Sequence, residues 1–427
     1  MTTTSITRIH GRRVFDSRGR PTVEAEVELL GGATGRAIAP SGASRGSREA
    51  VELRDGGTRF GGYDVTRAIA NVNGPIAALL RGSDAIDQTN VDRRMIDADG
   101  TADKSNFGGN AIVAVSLAVA HAAAAARTLP LWQYIAGDRP VMLPLPEIQI
   151  FGGGAHAGRR IDIQDLMVMP IGAQSFADGL AMVADIYQAA GALMQGAGKL
   201  AGVADEGGYW PLFDSNDEAL TMLVRAIEHA GLRPGVDAVL SLDIAASEFG
   251  SDGRYQLALD GRDLDRDGMA ELVLHWLERF PIASIEDPFA EDDVTGWQRF
   301  TAAAGSRVQI VGDDLLTTDA GRVSRAATDH LCNAALIKPN QAGTVTEAHA
   351  ALLAAKRASF STIVSARSGE SEDVSIAHLA VGWSAGQIKV GSFARSERTA
   401  KWNELIRIEE ALGSNARYAG REALYAR

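Results

Sequence analysis

Short apolar runs recur through the last two thirds of this chain, and most of them end in, or carry near the end, an ionisable residue. The runs are L-M-V-M-P-I from Leu166, V-L-S-L-D-I from Val239, I-A-S-I-E-D-P from Ile282, V-Q-I-V-G-D-D from Val308, A-L-I-K-P-N from Ala335, T-I-V-S-A-R-S from Thr362 and Q-I-K-V-G-S from Gln387. Most intervals are roughly 25 to 50 residues and are filled by segments of helical character, such as the amphipathic stretches Asp217 to Ala230 and Thr346 to Arg357, which is the rhythm of βα units. A βα barrel brings such strand ends to one mouth, so charges far apart in sequence become neighbours there.

The first part of the chain reads differently. From Val23 to Leu29 the sequence V-E-A-E-V-E-L alternates apolar residues with glutamates, the period of a strand covered on one face and hence of an antiparallel sheet. Ile69 to Arg81 and Asn110 to Arg127 have helical composition, so residues 1–135 read as a small α+β domain, followed by a transition punctuated by Pro140, Pro144 and Pro146. Residues 136–427 then form the βα part.

Composition limits the functional classes. A net charge of -12 argues against a nucleic-acid or anionic-membrane partner, so an anionic substrate must meet a local cluster of Lys and Arg. Cys332 is the only cysteine, which leaves no intrachain disulfide framework. The start M-T-T-T-S-I-T-R-I-H lacks the order of a signal peptide, and the apolar run Ala111 to Ala126, broken by Ser116 and His121, reads as a buried helix. A cytoplasmic enzyme is the expectation.

Asp243, Glu286 and Asp313 lie near the ends of three successive runs, 43 and 27 residues apart. Three carboxylates converging on a barrel mouth repel one another unless a hard cation neutralises them, and an all-oxygen shell suits magnesium. Lys338 and Lys389 sit inside apolar runs, where a lysine either snorkels to solvent or points into the mouth with its pKa lowered enough to act as a base. Glu206, on the glycine-rich loop A-D-E-G-G-Y, is the other candidate proton carrier. P-S-G-A-S-R-G, from Pro40 to Gly46, reads as a lid that delivers the Ser41 hydroxyl, and F-G-G-G-A-H-A-G positions His156. The loop I-V-S-A-R-S-G-E-S-E-D from Ile363 has the composition of an anion site, interrupted by the methyl group of Ala366.

Taken together, the segments P-T-V-E-A-E-V, P-S-G-A-S, E-L-R-D-G, H-A-G, D-E-G-G, D-I-A-A-S-E-F, I-E-D-P-F, V-G-D-D, I-K-P-N-Q-A-G-T, R-S-G-E, G-Q-I-K and R-S-E-R resemble, in order, the enolase (phosphopyruvate hydratase) family. The resemblance implies an N-terminal α+β capping domain over 1–135 and, over 136–427, a modified (β/α)8 TIM-type barrel of the enolase superfamily. It also implies two Mg2+ ions, a small phosphorylated substrate and a homodimer or higher homo-oligomer. The implied reaction is the glycolytic dehydration of 2-phosphoglycerate to phosphoenolpyruvate. Lys338 would be the base at C2 and Glu206 the acid that assists loss of the C3 hydroxyl, with His156 and Asp165 beside it. Asp243, Glu286 and Asp313 would hold the first magnesium, which together with Lys389 stabilises the enolate, the superfamily pattern of a lysine base with magnesium. Ser41 would ligate the second ion, and Arg367 and Ser368 would bind phosphate.

The departures from the family pattern cluster at one end of that site. Ala366 stands where S-H-R-S-G-E has histidine, Gly152 and Ala155 replace Asn and Ser of the N-G-G-S-H-A-G loop, Asp165 replaces a glutamate, and Arg45 replaces a threonine. One reading is a divergent housekeeping enolase. A second is an enzyme similar to carboxyphosphonoenolpyruvate synthase of phosphonate biosynthesis, which joins phosphonoformate to a three-carbon phosphoglycerate unit, with Ala366 vacating room and Arg45 adding charge. A third is a catalytically silent binding protein, which the retained lysines and carboxylates disfavour.

Overall fold

A computed structural model of the chain describes residues 1–44 and 46–425. It begins with a three-stranded antiparallel sheet, β1 (Ile6–Phe15), β2 (Pro21–Leu29) and β3 (Thr34–Ile38), in the order β1-β2-β3. Val23, Ala25, Val27 and Leu29 of β2 are buried, as the alternation predicts, against the helix Gly109–Ala126. That alanine-rich helix lies 83% buried inside the protein, and it comes so close to the sheet that a Cβ on Gly35 would sit 2.1 Å from the Ala122 nitrogen. The helical stretch expected from Ile69 starts earlier, at Thr66, and runs to Leu80 through a π turn at Val72–Ile76. Pro75 lies in that turn, where its missing N–H is accommodated by the changed hydrogen-bond pattern.

Eight strands then close into a barrel surrounded by helices. They are β4 (Leu145–Gly152), β5 (Asp165–Met169), β6 (Val239–Asp243), β7 (Ile282–Glu286), β8 (Gln309–Gly312), β9 (Ala334–Ile337), β10 (Ser361–Ser365) and β11 (Gly386–Gly391). They pair in chain order, and β11 pairs with β4 to shut the ring. The fold is therefore an α+β domain followed by an α/β barrel of TIM type.

Two strands depart from a simple βα repeat. β4 falls in the proline-punctuated stretch read as a transition; Pro146 is tolerated because it lies ahead of the pairing with β5, which begins at Ile148. β5 runs antiparallel to both β4 and β6, so it is not the strand of a βα unit. Its first residue, and not its last, reaches the mouth: Asp165 stands in register with Gly152 on one side and Asp243 on the other.

Candidate active site

The mouth is built from strand ends. Asp243 and Glu286 are the last residues of β6 and β7, Asp313 and Lys338 follow directly on β8 and β9, and Lys389 lies within β11. All five are buried. Lys389 Nζ donates to Asp243 Oδ2 at 2.7 Å and to Glu286 Oε2 at 2.9 Å, with Asp165 Oδ2 at 3.4 Å. Lys338 Nζ donates to Asp313 Oδ2 at 2.5 Å.

These pairs reverse one expectation. Burial works to lower both lysine pKa values, but Asp313 raises that of Lys338, and Asp243 with Glu286 holds Lys389 well above its ordinary range. Charge crowding shows instead on the acids. Burial and the nearby Asp243 push Glu286 well above the carboxylate range, despite Lys389.

Residues that the sequence reading passed over complete this shell. Gln341 Nε2 donates to Asp313 Oδ1 at 2.8 Å, and Gln164 Nε2 to Asp243 Oδ2 at 3.1 Å. Neither glutamine carries a charge to single it out; the available signals were position alone, three residues after Lys338 and one before Asp165.

Glu206 and His156 come from loops outside the barrel wall. Glu206 lies in the turn between the short strands Leu200–Val203 and Tyr209–Pro211, the latter paired to β4 through Phe151 and Tyr209. Gly207 permits the turn: its φ is +92°, and a Cβ there would meet the Ala394 carbonyl oxygen at 2.1 Å. His156 Nδ1 lies 2.9 Å from Asp165 Oδ1, and its Nε2 is 3.8 Å from Glu206 Oε1. Burial opposes charge on His156, but Asp165 and Glu206 outweigh it and push the imidazole up to about 9. Burial likewise raises Glu206 above its ordinary value against the pull of His156. Gln149, another residue not foreseen, donates to Asp165 and accepts from the Gly208 amide.

The anion loop is held from behind. Arg398, fully buried, donates to the carbonyl oxygens of Arg367 at 2.6 Å, Val390 at 2.8 Å and Ser368 at 2.5 Å. The Arg367 guanidinium faces Glu49 and the Ser44 carbonyl, and the Ser368 hydroxyl accepts from Arg18 at 3.2 Å. His156, Asp165, Glu206, Asp243, Lys338, Ala366, Arg367, Ser368 and Lys389 share one cavity with Gly42, Ala43 and Ser44 of the covering loop, and only about 20 Å3 of it is open.

Ser41 does not join them. Its hydroxyl is buried among Glu52 at 3.0 Å, Arg54 at 3.0 Å and Arg18 at 3.1 Å, and a backbone bridge ties the residue to Gly369. Ser44 is the serine of this loop that lines the cavity. Gly152 opens no room either, since a Cβ there would lie 2.4 Å from the Ala204 methyl. Arg45 lies outside the described residues.

The donor set fits a hard cation. Glu286 Oε1 is buried with no hydrogen-bond partner, and the oxygens of Asp243 and Asp313 are met by lysines and amides that a cation could displace. Asp287, Asp313 and Asp314 also approach within 4.8 Å of one another. Asp287, however, spends both oxygens on the amides of Asp313 and Asp314, at 2.9 and 2.8 Å.

Residues 6–135 match the family model of the enolase N-terminal domain, and residues 140–427 that of the enolase C-terminal TIM barrel domain. The chain belongs to the enolase family. Membership of that family makes the chain a lyase-type enzyme, and the described residues include acidic clusters that could hold a metal.

Proposed function

We propose that this enolase-family chain converts 2-phosphoglycerate to phosphoenolpyruvate and water. The observation that supports the reading most is that one buried cavity is lined by Lys338, Glu206, Lys389 and Arg367 together. Lys338, as the neutral amine, accepts the C2 proton, and Glu206, whose pKa burial raises, gives a proton to the departing C3 hydroxyl. Lys389 presents a fixed positive charge to the substrate carboxylate, and Arg367 the phosphate-binding guanidinium. His156 lies beside Glu206 and holds positive charge at the leaving-group side. Magnesium held by Asp243, Glu286 and Asp313 would supply Lewis-acid charge next to the substrate carboxylate and compete with both lysines for those oxygens.

The methyl group of Ala366 on the same wall as Arg367 favours a second reading. A phosphonate-pathway reaction, joining phosphonoformate to a phosphoglycerate-derived unit, would use the same base and carboxylate site with a longer anion beside Arg367. Incubation with magnesium and 2-phosphoglycerate, with and without phosphonoformate, followed by phosphorus NMR, separates the two. Phosphoenolpyruvate formed rapidly without phosphonoformate supports the first reading and sinks the second. A new phosphonate signal only in its presence does the reverse, and no turnover in either sample refutes both.

A further inference from the structure

A second cavity, of about 460 Å3, lies where the N-terminal domain meets the barrel. That size falls in the range of small-molecule sites, roughly 300–1,000 Å3. Its walls come from three places: Arg48 and Ala50 beside the covering loop, Asp103 and Lys104 of the N-terminal domain, and Thr318, Arg322, Gln341 and Glu347 of the barrel.

The charges in this cleft are unevenly satisfied. Glu347 accepts from Lys104 at 2.9 Å, the Asp319 carboxylate accepts from the Arg322 amide at 2.7 Å, and Asp103 accepts from the Ser105 amide at 3.2 Å. Among the described residues neither guanidinium has a hydrogen-bond partner, although Asp319 and Glu291 attract the Arg322 charge from nearby. Arg322 Nη1 is buried without a hydrogen bond, and Arg48, exposed, makes no hydrogen bond or ion pair to a described residue. Burial and the neighbouring Arg48 charge hold Arg322 below its ordinary pKa. A buried guanidinium N–H without an acceptor is costly, and an anion carrying several acceptor oxygens removes that cost.

We propose that this cleft binds a small phosphorylated anion between Arg48 and Arg322, tying the covering loop to the barrel. The cleft reaches the catalytic mouth by two routes. Arg48 precedes Glu49, which grips Arg367. Gln341 and Thr318, which line the cleft, bond to each other at 2.7 Å and reach Asp313 and the Lys338 amide at 2.8 and 2.9 Å. Thr317 and Thr318 both adopt positive φ, 45° and 54°, so two β-branched residues carry backbone strain between cleft and mouth. The proposal does not rest on the reaction assigned above, since neither arginine touches that site.

Equilibrium dialysis against radiolabelled pyrophosphate, without divalent ions, tests it. The wild-type chain should bind one equivalent more than Arg48→Gln/Arg322→Gln, whose melting temperature serves as the folding control. Arg48→Gln alone, an exposed change, should weaken that equivalent at least tenfold, and Arg48→Lys should restore part of it. Pyrophosphate should also slow hydrogen exchange of residues 46–51 in the wild type and not in the double variant. Equal stoichiometry and affinity in wild type and double variant overturn the site, and binding without slowed exchange overturns the tether.

Discussion

Arg367 Nη1 donates to Glu49 Oε2 at 2.8 Å, and Nη2 donates to Oε1 at 3.2 Å, so the guanidinium proposed to bind substrate phosphate is already gripped by a carboxylate beside the covering loop. The pair is buried on both sides. Breaking a buried pair by removing one partner costs about 3–5 kcal/mol, because the remaining charge is stranded. Glu49→Ala should therefore lower the melting temperature, and 2-phosphoglycerate should raise that of the variant by more than it raises the wild type. Equal ligand-induced shifts would show that Arg367 does not take the phosphate.

Lys338→Ala should abolish exchange of the C2 proton of 2-phosphoglycerate with deuterated water. Glu206→Gln should slow product formation by about 10²–10⁴-fold, the usual worth of a positioned acid, while leaving C2 exchange measurable. Proton NMR of the substrate follows both. Exchange that survives in Lys338→Ala means that another group is the base.

Ala366→His tests specificity. If the missing imidazole limits ordinary dehydration, the substitution raises the rate of phosphoenolpyruvate formation, read by ultraviolet absorbance; an unchanged rate would count against that account. The Ala366 side chain is 6% exposed in a cavity with about 20 Å3 open, so the new ring needs the covering loop to give way.

The His156 imidazolium should titrate near pH 9 in nitrogen-detected NMR, and Asp165→Asn should bring that midpoint down. The folded value lies above the ordinary 6.5, so the pairing contributes stability fully below about pH 6.5 and loses it as pH rises through about 9. Asp165 is shifted the other way from its ordinary 3.8: burial would raise it, but His156 and Lys389 hold it down, so its share is lost on acidification. The destabilisation by Asp165→Asn should thus be greatest between roughly pH 4 and 6.5 and shrink toward alkaline pH. A difference in melting temperature that stays unchanged from about pH 6.5 up through about pH 9 would refute the charge pairing.

Much of the barrel was legible because buried strands leave continuous apolar runs, and because a lysine inside such a run, as at Lys338 and Lys389, has few places to point but the mouth. β4 was not legible, since the apolar residues Leu145, Ile148, Ile150 and Phe151 are interleaved with Pro146, Glu147 and Gln149. Those polar residues are absorbed inside the barrel; Glu147, for one, is met by the Ser241 hydroxyl at 2.8 Å. Strand direction carries no signature in composition, so the reversal of β5 could not be read either. In the site, the carboxylates and lysines stood out by charge, whereas Gln164 and Gln341 did not. That Ser44 lines the cavity while the Ser41 hydroxyl meets Arg18, Arg54 and Glu52 follows from contacts that no sequence pattern shows. The raised lysine pKa values followed from ion pairs that form only when strand ends 25 to 146 residues apart in sequence are brought together.

The seam between β11 and β4 joins Gln387 to Leu145 and Lys389 to Glu147, so the last barrel strand to leave the ribosome is a neighbour of the first. Pairings of such long sequence separation form late and slowly, after the loop-closure entropy of the intervening chain has been overcome. Lys389 rides on that final strand. The ammonium that lies among Asp243, Glu286 and Asp165 therefore reaches them only with the strand that shuts the ring, so closing the barrel and neutralising its mouth are one event.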